Sequence, residues 1–412
     1  MFGKTTESGT PYRRPYRFVM AALLLLIPFC TMIPYVAPAV YMMGIMDTFQ
    51  VDMGMAGLTM TIQLGATGIC MFVGSFVQDK LGVQKSIVLG IWAMALGNIM
   101  AFLSPGIAVF LIARFVAGFG QGVYTSVSNT SISTWFEGKE RTYMLTLSSV
   151  FSSIALAISY TICIPLSNLF GSWQRVFGVY GIAIAVIALL WTFFGKSSPE
   201  EIAVSPGTGT GYKQGGGSLA RALKEKEYWK LAICVALITV ANTTIATYLP
   251  TYLTTERGLD AAVATTVSSM NSLFGIAGSL LGGILCAHLW RRKPTLVVSG
   301  VLYVLTGFLL TICTSGSLIL ILALAAGAIF YIPVTTQSTV MIEAKQPFDP
   351  TILSGAACMV FGIGQLLCVV VPFLFNTLTE AFSMTAAYRV FFGLCNVSVV
   401  AALMMKETGK KA

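Results

Sequence analysis

Apolar runs of about 18 to 28 residues recur along the whole chain, separated by short polar breaks. At 1.5 Å per residue in a helix, each run is long enough to cross roughly 30 Å of hydrocarbon. The runs fall at about 18–46, 54–78, 86–103, 107–134, 142–166 and 174–195, then at 229–253, 261–287, 295–313, 317–342, 352–376 and 386–405. None shows the ten-residue alternation of a membrane β-barrel. The pattern predicts an all-α integral membrane protein with about 12 transmembrane helices, six on each side of a polar interruption. That interruption, 196–228, turns to Ser, Pro, Gly and charge, and reads as a flexible linker with a short amphipathic helix from Leu219. The expected division is a six-helix bundle over 1–195, a cytoplasmic linker over 196–228, and a second six-helix bundle over 229–412. The first run is too long for a signal-peptide core and lacks a small-residue cleavage pattern, so it reads as a retained helix.

Composition agrees: 56% of residues are hydrophobic and 10% charged, with a mean hydropathy of +0.81. A net charge of +9 would fit a nucleic-acid partner, but the placement of the charges points to a membrane instead. With the amino terminus inside, Arg175, Arg257 and Arg389 are the basic residues near outer helix ends, and Arg114 alone lies within a span; the rest of the 25 fall on the inner side. We therefore expect a multi-pass protein of the cytoplasmic membrane with both termini cytoplasmic, a lipid bilayer as its surroundings, and no nucleic-acid partner. All 9 cysteines sit in predicted spans, so no disulfide framework is expected. His288 stands among Arg291, Arg292 and Lys293, a poor setting for a metal. No metal, cofactor or enzymatic nucleophile–base pair is expected.

The stretch from Ile107 to Arg141 organises the rest. On a helix, Gly118, Gln121, Gly122, Thr125 and Asn129 share one arc with Arg114, which makes one face of an apolar span wet. An arginine within a span costs roughly 2.5–3.5 kcal/mol even on the lenient insertion scale, so a water-filled cavity or a partner is expected beside it. The neighbouring glycines have no preceding strand and are not a dinucleotide fingerprint; they fit close helix approach.

The two halves carry related punctuation. Gly74-Ser-Phe-Val-Gln-Asp-Lys-Leu-Gly82 closes the second run and Gly282 to Lys293 the eighth; Trp173-Gln-Arg-Val-Phe opens the sixth and Ala387-Tyr-Arg-Val-Phe the twelfth. A duplication of six helices is the economical account, a common construction for secondary transporters. At these residues the chain resembles the major facilitator superfamily. Asp79-Lys80-Leu81-Gly82 matches the core of that family's signature loop, with Ser75 at the usual first-glycine position and Val83 and Gln84 replacing a basic pair. In the second half Ala287 takes the acidic position while Arg291 and Arg292 are kept. Arg114 with Gly118, Gly120 and Gly122 resembles the fourth-helix motif, and Trp135-Phe136 with Gly138 to Arg141 the loop after it.

The resemblance implies two pseudo-symmetric six-helix bundles around a central cavity, with a cytoplasmic gate formed by Asp79, Lys80, Gly82, Arg291 and Arg292. It also implies that Arg114, Gln121, Thr125, Asn129, Tyr35, Gln63, Asn242, Tyr248, Asn271, Tyr331 and Gln365 face the cavity and bind the substrate. No Asp or Glu falls in mid-span, which disfavours a buried proton-carrying carboxylate. Arg114 would either grip an anion through its planar donors or brace neighbouring helices. The expected function is a secondary transporter of a small organic or inorganic anion such as a carboxylate, loosely similar to the carboxylate and cyanate-type porters. It would work as a monomer, by uniport, exchange against a counter-substrate, or symport with H+ or Na+. The alternative is an exporter of drugs or amphipathic metabolites, to which 19 methionines would lend adaptable surface. The fifth span, however, lacks the glycines of the proton-coupled drug antiporters. A membrane sensor is a third possibility, though no signalling domain is evident.

Overall fold

The structure, a computed structural model, describes residues 13–197, 217–289, 291–313, 315–344 and 352–409. The first half comprises α1 (Arg13–Val40), α2 (Met42–Phe49), α3 (Met53–Phe102), α4 (Ile107–Trp135), α5 (Gly138–Phe170) and α6 (Trp173–Phe194). A short α7 (Ser218–Leu223) leads into α8 (Lys226–Thr255), α9 (Ala261–His288), α10 (Lys293–Ile312) and α11 (Gly316–Glu343). The chain ends in α12 (Leu353–Ala357), a π-helical turn Cys358–Gly362, α13 (Ile363–Ala381) and α14 (Met384–Met404). Among the described residues 11 helices are long and apolar enough to cross a membrane. One of them, α3, is 50 residues long and holds two crossings, which gives the twelve expected.

Three elements depart from the apolar pattern. Residues 79–85 are not an open loop: helix continues through them and breaks only at Gly82, whose φ of 82° a side chain would strain. The first run divides at Tyr41 into α1 and α2, shortly after Pro34 and Pro38, neither of which can donate to the preceding turn. The eleventh run contains the π-helical turn, a distortion that hydropathy does not register. Of the linker, 198–216 lies outside the described residues.

Packing shows which end is closed. At the end where α1 begins and α14 finishes, one continuous core joins the halves: Met20, Leu24, Ile87, Val127 and Trp135 from the first pack with Leu231, Val235, Met341, Ile352 and Met359 from the second. Toward the other end the halves keep separate cores. One is built on Phe110, Trp173 and Phe177; the other, on Tyr252, Phe375 and Tyr388, has only a partly buried Leu64 leaning on it from the first half. The helices between them follow suit. Gly283 of α9 abuts Thr146 of α5, where a Cβ would lie 2.2 Å from its Cγ2. Further along, the same two helices part around a cleft of about 530 Å³ lined by Ala157, Ile158, Thr161, Ile162, Pro165 and Leu273.

Glycine permits the tightest crossing. At Gly278 and Gly282 of α9 a Cβ would stand 2.0 Å from the carbonyl oxygens of Ala328 and Ile332 on α11. Backbone, unlike a side-chain tip, cannot move aside. Gly282→Val is therefore expected to abolish the monodisperse peak on size-exclusion chromatography, whereas Gly393→Ala, with nothing within 4 Å, leaves it intact.

Candidate functional site

Prolines set up the site. Pro38 has no N–H, so the carbonyl of Pro34 one turn earlier loses its helical donor inside the membrane, where an unpaired group is expensive. Arg114 of α4 fills the gap: Nη1 donates to the Pro34 carbonyl at 3.2 Å and Nη2 to that of Tyr35 at 3.1 Å. Ser159 of α5 donates to the Ile33 carbonyl at 2.8 Å. The bend of α1 is thus held from two sides. Arg114 is 1% exposed, lies over the Phe177 ring at 5.6 Å, and leaves its Nε–H without an acceptor. It pairs with no carboxylate among the described residues. It also sits higher than the middle of its helix: Ile107 opens α4, and seven residues correspond to about 10 Å.

Below it α3 and α4 touch backbone to backbone, because Gly118 faces Gln63 and Gly122 faces Thr67 and Cys70. Gln63 and Gln121 are consequently buried. Among the described residues the Gln63 Oε1 has no partner, and Gln121 reaches only Thr125, at 3.5 Å. Thr125 donates to the Gln121 carbonyl of its own helix. Asn129, one turn further on, is buried, and no protein hydrogen bond to its amide is found among the described residues. The second half approaches on the opposite side. Gly65 of α3 is 3.4 Å from Val369 of α13 at the position a Cβ would take, and Thr243 of α8 meets Cys368 at 3.2 Å. Asn242 and Gln365 stand beside these contacts, half-buried. Tyr35 lies within electrostatic reach of both Arg114 and Cys368. Tyr35 therefore stands between the halves, and Gln63, Gln121, Asn242 and Gln365 lie on α3, α4, α8 and α13, the helices that carry these contacts along the seam where the halves meet.

Three further expected residues make contacts within the second half. Tyr248 stacks on Phe375 with ring centroids 4.1 Å apart, both inside the second half. Asn271 donates to the Ala323 carbonyl and so ties α9 to α11. The Tyr331 ring covers Gly275, 2.6 Å from where a Cβ would be. All three serve contacts between helices of the same half, which hydropathy cannot distinguish from a cavity face. The residues not anticipated are Thr243 and Cys368, whose only signal was their apolar setting.

The residues expected at the gate have the following partners. One oxygen of Asp79 accepts the backbone N–H groups of Gly217 and Ser218 at 2.8 and 2.9 Å, the opening residues of α7. The Ser218 hydroxyl meets Ser75 at 2.7 Å and Ser354 at 3.1 Å, so a buried trio joins α3, the linker and α12. Gly355 lets the Ser218 backbone come so close that a Cβ would stand 2.4 Å from it. Beside the trio, the Cys358 thiol donates across the halves to the Met71 carbonyl at 2.7 Å. Gly82 provides the turn after Asp79, and Lys80 is exposed. Arg292 bonds Glu343 at 3.3 Å, the Leu289 carbonyl at 3.0 Å and the Cys286 carbonyl. Arg291 is exposed.

Twelve crossings in two halves, joined at one end by a shared core and keeping separate cores toward the other, have the build of a membrane carrier. The chain belongs to the Major Facilitator Superfamily, whose family profile matches residues 20–368, and is accordingly a transporter and not an enzyme. It is 24% identical over 395 residues to a probable galactarate/D-glucarate transporter of Bacillus subtilis (strain 168), covering 87% of this chain and 86% of that protein. It is 24% identical over 262 residues to a probable sulfoacetate transporter of Cupriavidus necator, covering 60% of this chain and 58% of the relative. In three dimensions it resembles the proton:xylose symporter XylE with a TM-score of 0.75 over 97% of this chain and 98% of the other, at 15% identity; the fold is what they share.

Proposed function

We propose that this transporter carries a small organic anion, a carboxylate or sulfonate, across the cytoplasmic membrane. The observation that carries the proposal is the buried, unpaired charge of Arg114. A buried guanidinium whose hydrogen bonds go to neutral carbonyls, with no carboxylate paired to it among the described residues, keeps a net positive charge whose field, partly offset by those carbonyl dipoles, reaches the seam. An anion entering the seam lowers the energy of that charge; a cation raises it. The names of the relatives, sugar-acid and sulfoacetate transporters, support the same class. In this conformation Arg114 supplies potential and shape, while Tyr35, Gln63, Gln121, Asn242 and Gln365 supply the hydrogen bonds that orient the cargo.

With both termini in the cytoplasm, as the distribution of basic residues favours, the closed end is cytoplasmic and the conformation is outward-open. The halves 1–195 and 229–412 rock about the linker 196–228, as one monomer. No carboxylate in mid-span is available to carry a proton, so the driving force comes from a co-transported cation at another group or from exchange against a second anion.

Thermal stabilisation of the purified protein tests the proposal. D-glucarate or sulfoacetate is expected to raise the melting temperature by several degrees, and D-xylose or tetraphenylphosphonium to leave it unchanged. Stabilisation by the neutral sugar or the lipophilic cation alone would reject an anionic cargo.

A further inference from the structure

Two adjacent arginines at the closed end have different surroundings. Arg292 is enclosed by Glu343 and backbone carbonyls, whereas Arg291 is exposed and opens onto a groove of about 520 Å³ between α10 and α14. The groove is lined by Arg291, Lys293, Pro294, Val297, Val298, Leu403 and Glu407. The side chains of Arg291 and Lys293 have no acidic partner among the described residues. The acid of the groove is already committed: Glu407 Oε1 accepts the backbone N–H groups of Arg292 at 2.6 Å, Lys293 at 3.4 Å and Gly409 at 3.3 Å.

We propose that this groove binds one anionic glycerophospholipid, its phosphate between Arg291 and Lys293 and an acyl chain along Val298 and Leu403. Depth supports this. α10 is 20 residues long, about 30 Å, so its first residue lies at headgroup level when the helix spans the hydrocarbon. Shape supports it as well. The apolar wall does not stop at the groove: Val298, Leu302 and Leu305 on α10 are 56%, 42% and 52% exposed, and Leu403 and Val400 on α14 are 51% and 53% exposed. These stripes face lipid and continue the groove into the bilayer. A pair of free cations at the interface above a continuous apolar track matches a headgroup joined to a chain, and anionic lipid is what the cytoplasmic leaflet supplies to basic pockets of this kind. Arg291 accordingly belongs to the lipid site and not to the gate.

Native mass spectrometry of the detergent-purified protein with equimolar dioleoylphosphatidylglycerol and dioleoylphosphatidylcholine reads this directly. Phosphatidylglycerol is expected to be retained preferentially. Arg291→Gln with Lys293→Gln should lower that retention about 25-fold, or about fivefold per cation, with phosphatidylcholine unaffected. Leu403→Trp, which fills the track and keeps the charges, should lower it too, and Arg291→Lys should preserve it. Equal retention of the two lipids, an unchanged double variant, or displacement by equimolar glycerol phosphate would each overturn the proposal. Because the readout is lipid retention, it is independent of whether the cargo is an anion.

Discussion

Arg114→Gln is expected to weaken binding of a monovalent organic anion about 18-fold and of a divalent one about 300-fold. The estimate takes a unit charge about 10 Å from the cargo at an effective dielectric constant of about 20, which gives about 1.7 kcal/mol per cargo charge. Titration calorimetry on the purified protein measures it. Arg114→Lys separates the two roles of the side chain. It keeps the charge, but an ammonium has no planar fork with which to hold the Pro34 and Tyr35 carbonyls together. Losing one charge-assisted hydrogen bond costs roughly 1.5–3 kcal/mol, so the lysine variant should melt roughly 2–4 °C lower and still prefer anions. A glutamine variant that bound anions within twofold of the native protein would show that Arg114 is a brace alone.

Arg114 was partly legible in the sequence and partly not. Its presence within an apolar run marked the run as unusual, and the spans themselves were legible because burial in lipid demands length and apolarity. Its partners were half legible: prolines at 34 and 38, four residues apart in one span, leave the Pro34 carbonyl without a donor, but nothing local says which helix supplies a replacement. Polar side chains at helical spacing were ambiguous for a similar reason. Gln63 and Gln365 lie on helices that meet at the seam, whereas Asn271 and Tyr331 contact Ala323 and Gly275 within the second half, and helical spacing alone does not say which way each helix is rotated about its axis. Hydroxyls were the least informative, since Thr67 and Ser152 donate to their own helix backbones. The serine trio was invisible, because residues 75, 218 and 354 meet only once the linker has folded back against both halves.

That trio and Asp79 make the strongest prediction about motion. For the closed end to open, α3 must part from α12, and in this arrangement it must also release the amino end of α7. Asp79 holds that end through two charge-assisted bonds, which, allowing for its partial exposure, contribute about 2 kcal/mol together. Removing them with Asp79→Ala should therefore raise the population open at this end about 30-fold. Cys358 is a built-in reporter: it is fully buried, and its thiol is bonded across the seam to the Met71 carbonyl. With the other cysteines replaced, its labelling by a water-soluble maleimide applied from the closed side should quicken by the same factor. Ser354→Val, which breaks the trio and spares the carboxylate, should act in the same direction but more weakly, because a neutral hydrogen bond contributes about 1 kcal/mol. If Asp79→Ala left the labelling rate of Cys358 unchanged while the protein stayed folded, α7 would be a passenger on the gate, and closure would rest on the apolar core shared by the two halves.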